Sequence, residues 1–421
     1  MVGSPLPFES ETVMPDANAH HRSVRPPQWV RTLPELARLV SRVRATGVLA
    51  LDSESDSLHH FPEKVCLVQA ATEDGEAFLV DPLTLKDLAP LGTVLADRSI
   101  VTILHGAAYD LASMKRDFGF TVAGLFDTML AAQFLGLPEV GLAALLERLL
   151  GVAPGESRQK DDWAARPLNP AQEHYAAEDV RHLIALRARL VASLEACGRT
   201  AWVEEECRAL EATPAADRVF SPDDCLDIKG ARILDRRGLG ILRELFMSRE
   251  TWAHERGRPP FKILGNDTLV RLASARPDSL KALASMPGCT PTVIARYGEG
   301  ILHAIARGLA APEADLPDGR RSRKPRRSPA VERRTSALLA WRAEAAPRLG
   351  LDPGLVLPRR LIERLAQTPP GDPAALEAVD GMRRWRIAAF GGEILTALAG
   401  GGGMAEGSAI GGREAPARQE R

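Results

Sequence analysis

Five residues between positions 52 and 179 are of types that do chemistry together: Asp52, Glu54, Asp110, Tyr175 and Asp179. Asp52 and Glu54 close the apolar run Val48-Leu49-Ala50-Leu51, and two apart on a strand they point to one face. Asp110 comes a few residues after a second apolar run, Ile100 to Leu104. Tyr175 and Asp179 are four apart in a strongly helical stretch, so one stacks a turn above the other. Carboxylates on buried elements are costly unless something positive neutralises them. No lysine or arginine motif accompanies these acids, and hard oxygen donors without such partners suit a divalent metal ion.

Each residue has a plainer reading. Tyr175 taken alone reads more readily as core than as catalyst. Asp179 falls inside the stripe Tyr175, Leu183, Leu186 and Leu190, where a carboxylate needs a cation or a hydrogen bond. Asp117 shares a helix with Asp110 and competes with it. Asp127, just before Thr128-Met129-Leu130, reads as a helix cap. His105 at a strand end reads as structural, and the adjacent His59 and His60 lack metal-ligand spacing.

The elements that must hold these residues alternate between strand and helix from about 28 to 191. Val48 to Leu51, Val65 to Ala70 and Ala77 to Val80 read as three consecutive strands. A helix from Leu85 to Leu95, a strand from Ser99 to Leu104, a helix ending at Gly119 and another opening at Asp127 follow. Asn169-Pro170-Ala171-Gln172 carries a cap residue, a proline at the first helical position and a capping-box glutamine. One central sheet in an α/β domain is expected. Beyond about Ser221 the strands vanish and an internal repeat appears at an offset of 93 residues, pairing Leu264 with Leu357, Gly288 with Gly381 and Tyr297-Gly298 with Phe390-Gly391. Two copies of a small helical domain are the natural interpretation.

The chain has 421 residues, too many for one ordinary core. No apolar stretch approaches the roughly 20 residues of a membrane span. The polar, proline-bearing start lacks a signal core. Five cysteines show no Cys-x-x-Cys pair, which points to a reduced, cytoplasmic compartment. The acidic excess lies in the first half and the basic excess in the second. Arg320, Arg321, Arg323, Lys324, Arg326 and Arg327 dominate one basic run, readable as a solvated linker or as phosphate contacts.

Leu51-Asp52-Ser53-Glu54, His105 to Leu111, Leu125-Phe126-Asp127-Thr128 and the stretch from Asp162-Trp163 to Asp179-Val180 together resemble the ribonuclease D family. Pro260 to Asp267 and Tyr297 to Leu302 resemble the HRDC domain. The resemblance implies an α/β ribonuclease H-like exonuclease domain with a central mixed sheet, followed by two small all-α HRDC domains. The expected order is a disordered lead-in (1–27), the exonuclease domain (28–205), a first HRDC domain (232–312), a basic linker (313–332), a second HRDC-like domain (333–398) and a disordered Gly-rich tail (399–421). It implies two divalent cations, Mg²⁺ or Mn²⁺, on Asp52, Glu54, Asp110 and Asp179, with Asp52 bridging them. Tyr175 would position the attacking water. His174 occupies the place used by a histidine-type variant; helical geometry does not choose between them, but the surrounding motif favours Tyr175. Ser55 stands where many relatives carry an aromatic, which bears on how the last nucleotide is held. The implied activity is 3′–5′ exoribonucleolysis releasing nucleoside 5′-monophosphates from RNA with a single-stranded 3′ end, tRNA precursors included, by a monomer with no membrane association. A DNA exonuclease and a non-catalytic RNA-binding scaffold are the alternatives.

Overall fold

The computed structural model describes residues 25–153, 155–215, 220–318 and 328–402. Most of the expected lead-in, the basic residues Arg320 to Arg327 and the tail beyond Gly402 lie outside the described residues. Contacts divide the chain into two compact units, 6–132 with 139–324 and 133–138 with 325–421.

The first unit opens with β1 (Gln28–Val30), α1 (Leu33–Thr46), β2 (Val48–Ser55), β3 (Val65–Ala71) and β4 (Ala77–Val80). It continues through α2 (Ala89–Leu95), β5 (Val101–Leu104), α3 (Ala108–Phe118), β6 (Leu125–Asp127), α4 (Thr128–Phe134) and α5 (Leu142–Leu150). Three further helices, α6 (Pro170–Arg181), α7 (Leu183–Ala196) and α8 (Thr200–Glu211), complete the α/β part. Among the described residues the strands form one six-stranded sheet in the order β1-β4-β3-β2-β5-β6. β3 runs antiparallel to β2 and β4, while β1, β5 and β6 pair parallel with their neighbours, so the sheet is mixed. Every residue of β3 is buried, which is why its apolar run shows almost no alternation.

The helix starts and stops follow the local chemistry. Asn169 accepts from Gln172 N while the Gln172 side chain returns to Asn169 N, both at 3.0 Å, and Pro170 fills the first turn of α6. Gly119 ends α3 at φ 68°, where other residues would be strained. Several expectations need correction. α2 begins at Ala89, not Leu85, because Asp81 turns the preceding residues by accepting from Leu83 N and Thr84 Oγ1. β1, α1 and β6 are elements that the sequence pattern did not disclose. The single helix expected after Asn169 is two, α6 and α7, meeting at His182. α8 runs past 205 to Glu211, whose carboxylate accepts from Leu125 N on β6.

The loop that feeds α6 is pinned by one side chain. Arg166 donates to both oxygens of Asp81 at 3.0 Å, to Cys66 O at 2.7 Å and to Trp163 O at 2.8 Å. Burial alone would push the Asp81 carboxyl up, but the Arg166 fork outweighs it and holds it below its ordinary value. Trp163, fully buried, packs with Cys66, Leu67, Leu79, Leu168 and Ala176 beneath α6. Arg166→Ala strands a buried carboxylate, so thermal unfolding should report a loss of about 3 kcal/mol, or roughly 6–12 °C in Tm. Arg166→Lys should rescue little, because a point charge cannot reproduce the two-pronged contact. An unchanged Tm in both variants would contradict this account of the loop.

The helical remainder repeats itself. The first unit ends with α9 (Arg236–Arg256), α10 (Pro260–Ile263), α11 (Asn266–Ala275), α12 (Leu280–Ala284) and α13 (Pro291–Ala310). The second unit consists mainly of α14 (Pro329–Leu349), α15 (Pro353–Val356), α16 (Arg359–Gln367), α17 (Pro373–Glu377) and α18 (Arg384–Gly402). Helix for helix they correspond at the same 93-residue offset, well beyond the segment in which the pattern was legible. Individual bonds repeat too: Arg249 donates to Leu264 O at 3.1 Å, and Arg342 to Leu357 O at 3.0 Å. Arg271 likewise reaches Pro287 O, as Arg364 reaches Asp380 O. α14 begins at Pro329 inside the expected linker, with Ser328 as its cap, and α18 runs to Gly402 inside the expected tail.

Candidate active site

β2 occupies the middle of the sheet, between β3 and β5, and delivers Asp52 and Glu54 near its C-terminal end. α6 packs on β2, β3 and β4 and brings Asp179 to the same place. Among the described residues, Asp52, Glu54 and Asp179 can place one carboxylate oxygen each within 4.8 Å of one another. Asp110 stands outside that trio. It lies in the first turn of α3, buried, and accepts from Ser53 Oγ at 2.5 Å. It remains close enough to raise the proton affinity of Asp52 and Glu54.

Electrostatics describe a site built to hold positive charge. Burial first, then Asp110, Asp179 and Glu54, push Asp52 well above the usual carboxylate range. Burial and the charges of Asp179, Asp110 and Asp161 push Glu54 up to about 9. Asp179 rises to about 7 through burial, a rise restrained by the Tyr175 hydroxyl, and Asp110 to about 6, restrained by Ser53. None of these four carboxylates has an ion pair to lysine or arginine among the described contacts. Directly across the ladder from Asp52 lies Gln69, fully buried, with neither amide atom bonded to a described protein group. Four hard oxygen donors, unneutralised and beside an unpaired amide, fit a hydrated divalent metal centre.

Tyr175 reaches the trio and His174 does not. The phenol lies within hydrogen-bonding reach of Asp179, and burial with that charge raises its proton affinity so that it stays neutral. His174 is exposed and bears instead on Glu178. The competitors take structural posts. Asp117 accepts from Val65 N at 2.6 Å and pairs with Arg116. Asp127 does cap α4, accepting from Met129 N, and with its two oxygens it also holds the amides of Gly106 and Ala107 ahead of α3. His105 bonds Thr128, and burial lowers its proton affinity. His59 bonds Lys160 O and His60 pairs with Asp162, closing two loops together. Two contributors escaped the sequence pattern: Ser53, which orients Asp110, and Asp161, whose charge bears on Glu54.

Known proteins resemble this chain along most of its length. The family model for the 3′–5′ exonuclease matches residues 27–195, and that for the HRDC domain matches 238–305 and 331–398. Ribonuclease D of Desulfotalea psychrophila is 31% identical over 341 residues, covering 80% of this chain and 90% of that protein. The crystal structure of Escherichia coli ribonuclease D superposes with a TM-score of 0.68 at 27% identity, covering 89% of this chain and 99% of that one. A single-substitution mutant of the catalytic core of RRP6 from Trypanosoma brucei gives a TM-score of 0.59 at 25% identity, covering 68% of this chain and 81% of that one. Exonucleases of this family use divalent metal ions, as the acidic centre would require. No described helix is long and apolar enough to cross a membrane. With a mixed-sheet exonuclease domain, two HRDC domains and relatives aligned along most of its length, this chain belongs to the ribonuclease D family of 3′–5′ exoribonucleases.

Proposed function

We propose that this exoribonuclease trims RNAs with single-stranded 3′ ends, tRNA precursors among them, acting as a monomer and releasing nucleoside 5′-monophosphates. The observation that carries the reading is the convergence of Asp52, Glu54 and Asp179, with Asp110 alongside, at a place where no basic side chain neutralises them. Support for a structured RNA whose end is frayed comes from the Escherichia coli relative, described as an exoribonuclease involved in structured RNA processing.

Asp52, Glu54, Asp110 and Asp179 would hold Mg²⁺ or Mn²⁺. Bound there, the ions would supply an activated water and stabilise charge on the leaving 3′ oxygen. The protein's own part is placement. Ser53 fixes the rotamer of Asp110, and the α3 N-terminus favours a carboxylate at that position. Tyr175, neutral, offers one donor and one acceptor beside Asp179, which suits it to orient the attacking water. Partial burial lowers the dielectric around the acids and strengthens every charge interaction among them. Phosphate repulsion is countered by the basic C-terminal half, with Arg320, Arg321, Arg323, Lys324, Arg326 and Arg327 as candidate backbone contacts.

The test is digestion of single-stranded RNA ending in a 3′-hydroxyl or a 3′-phosphate, with and without chelator, beside DNA of equal length. Mononucleotides from the 3′-hydroxyl RNA alone, lost on chelation, are expected. Internal fragments, chelator-resistant cleavage or faster digestion of DNA would overturn the reading.

A further inference from the structure

Tyr109 is an aromatic side chain left facing solvent at the rim of the acidic centre. It immediately precedes Asp110 on α3, is 48% exposed, and is the one large aromatic among the exposed apolar side chains described in residues 25–211. An exposed phenol on a surface helix is ordinarily free to turn. This one is tied at its oxygen: it lies 2.9 Å from Ser55 Oγ and donates to Glu63 Oε2 at 3.3 Å. Glu63 is itself held by Arg116 at 2.6 Å, and Arg116 by Asp117, which also accepts from Val65 N. Ser55 follows Glu54 at the irregular end of β2, where the ladder register shifts. The hydroxyl is therefore anchored to the strand that carries two of the acids, and the backbone to the helix that carries a third. The loop bearing Glu63 is fixed in turn, since Phe61 N donates to Gly257 O at 3.2 Å and the Phe61 ring meets His254 edge-on at 4.9 Å.

A ring held this way costs little entropy to use as a contact surface. Taking the acidic centre as the place of hydrolysis, we propose that Tyr109 is the stacking platform for the base of the nucleotide being removed, so that it determines how the RNA 3′ end is gripped. Stacking on a π-face tolerates any base, as an enzyme that removes successive nucleotides requires.

Steady-state kinetics on two RNA oligonucleotides test this, one ending in a purine nucleotide and the other in an abasic nucleotide. Tyr109→Ala should raise KM on the purine end by about 10-fold, the effect of one lost stack, and leave kcat within about twofold. On the abasic end it should behave like the unaltered protein, and Tyr109→Phe, which keeps the ring but loses the tether of its hydroxyl, should fall between the two on the purine end and match the unaltered protein on the abasic end. An equal loss on both ends would assign Tyr109 a structural role through Asp110 and overturn the proposal, as would an unchanged KM on the purine end. Loss of all cleavage in Asp52→Asn tests the acidic centre separately, so the two failures are distinguishable.

Discussion

Asp52→Asn is expected to lower turnover on single-stranded RNA by about 10³-fold or more while leaving RNA affinity within a few-fold of the unaltered protein. The reasoning is one of charge. Asp52 is held well above the usual carboxylate range by burial and by Asp110, Asp179 and Glu54 together. A group so placed accepts that burden only when a cation returns it. Metal-ion stabilisation of a phosphoryl transition state amounts to several kcal/mol, and each 1.4 kcal/mol is a factor of ten in rate. The isosteric amide keeps the shape of β2 and its pairing with Gln69 but gives up the charge. Binding of the RNA body depends on phosphate contacts elsewhere, so filter binding or anisotropy should register little change. Turnover within tenfold of normal would sink the assignment of the centre.

How much of this was legible beforehand follows from which spacings are local. Asp52 with Glu54, and Tyr175 with Asp179, are set by the period of one strand and one helix, and each pair meets as that period requires. Asp110 needed more. Whether it or Asp117 serves the site depends on how α3 docks, and the deciding contacts, Ser53 to Asp110 and Val65 N to Asp117, join residues more than 50 apart. Strand alternation gives no sign of Ser53, which lies between the two acids and nominally points away from them; its bond to Asp110 follows from where α3 docks. β1 has three residues, too few to display a period, and is defined by its parallel pairing to β4. The break between α6 and α7 falls at His182 with no proline or glycine to mark it. The stripe through Leu183, Leu186 and Leu190 therefore belongs to a second helix, and Asp179 faces the sheet through the packing of α6 alone. The 93-residue repeat was readable because paired glycine and aromatic steps survive where surface residues drift. Its extension to α9 and α14 rests on a caps-and-carbonyl pattern, Gly257 with Gly350 and Arg249 with Arg342, that leaves little trace in apolar periodicity.

The metal-stripped protein should lose stability as pH rises from about 4 to 9, and Asp179→Asn should remove part of that loss. The sign follows from linkage. A carboxyl raised in the folded state binds its proton more tightly there than in the unfolded chain, so folding is favoured while it is protonated. Asp179 moves from 3.8 to about 7, so its contribution is fully present below pH 4 and gone once pH passes about 7. At 1.36 kcal/mol per pH interval, ionising this one group in place costs about 4 kcal/mol. Glu54, raised to about 9, extends the decline to higher pH, and Asp110, raised to about 6, adds to its lower part, from about pH 4 to 6. Asp81 opposes the trend only in acid, where protonation forfeits its bond to Arg166. Thermal melts in chelator should therefore find Asp179→Asn more stable than the unaltered protein at pH 8, by up to a few kcal/mol, and equal to it near pH 4. Added Mn²⁺ should reverse the order at pH 8, because an ion that binds only the folded site stabilises the chain that retains all four acids. A pH-independent gap between the two proteins, or an order that Mn²⁺ leaves alone, would mean that the four carboxylates are not held together at the cost their burial implies.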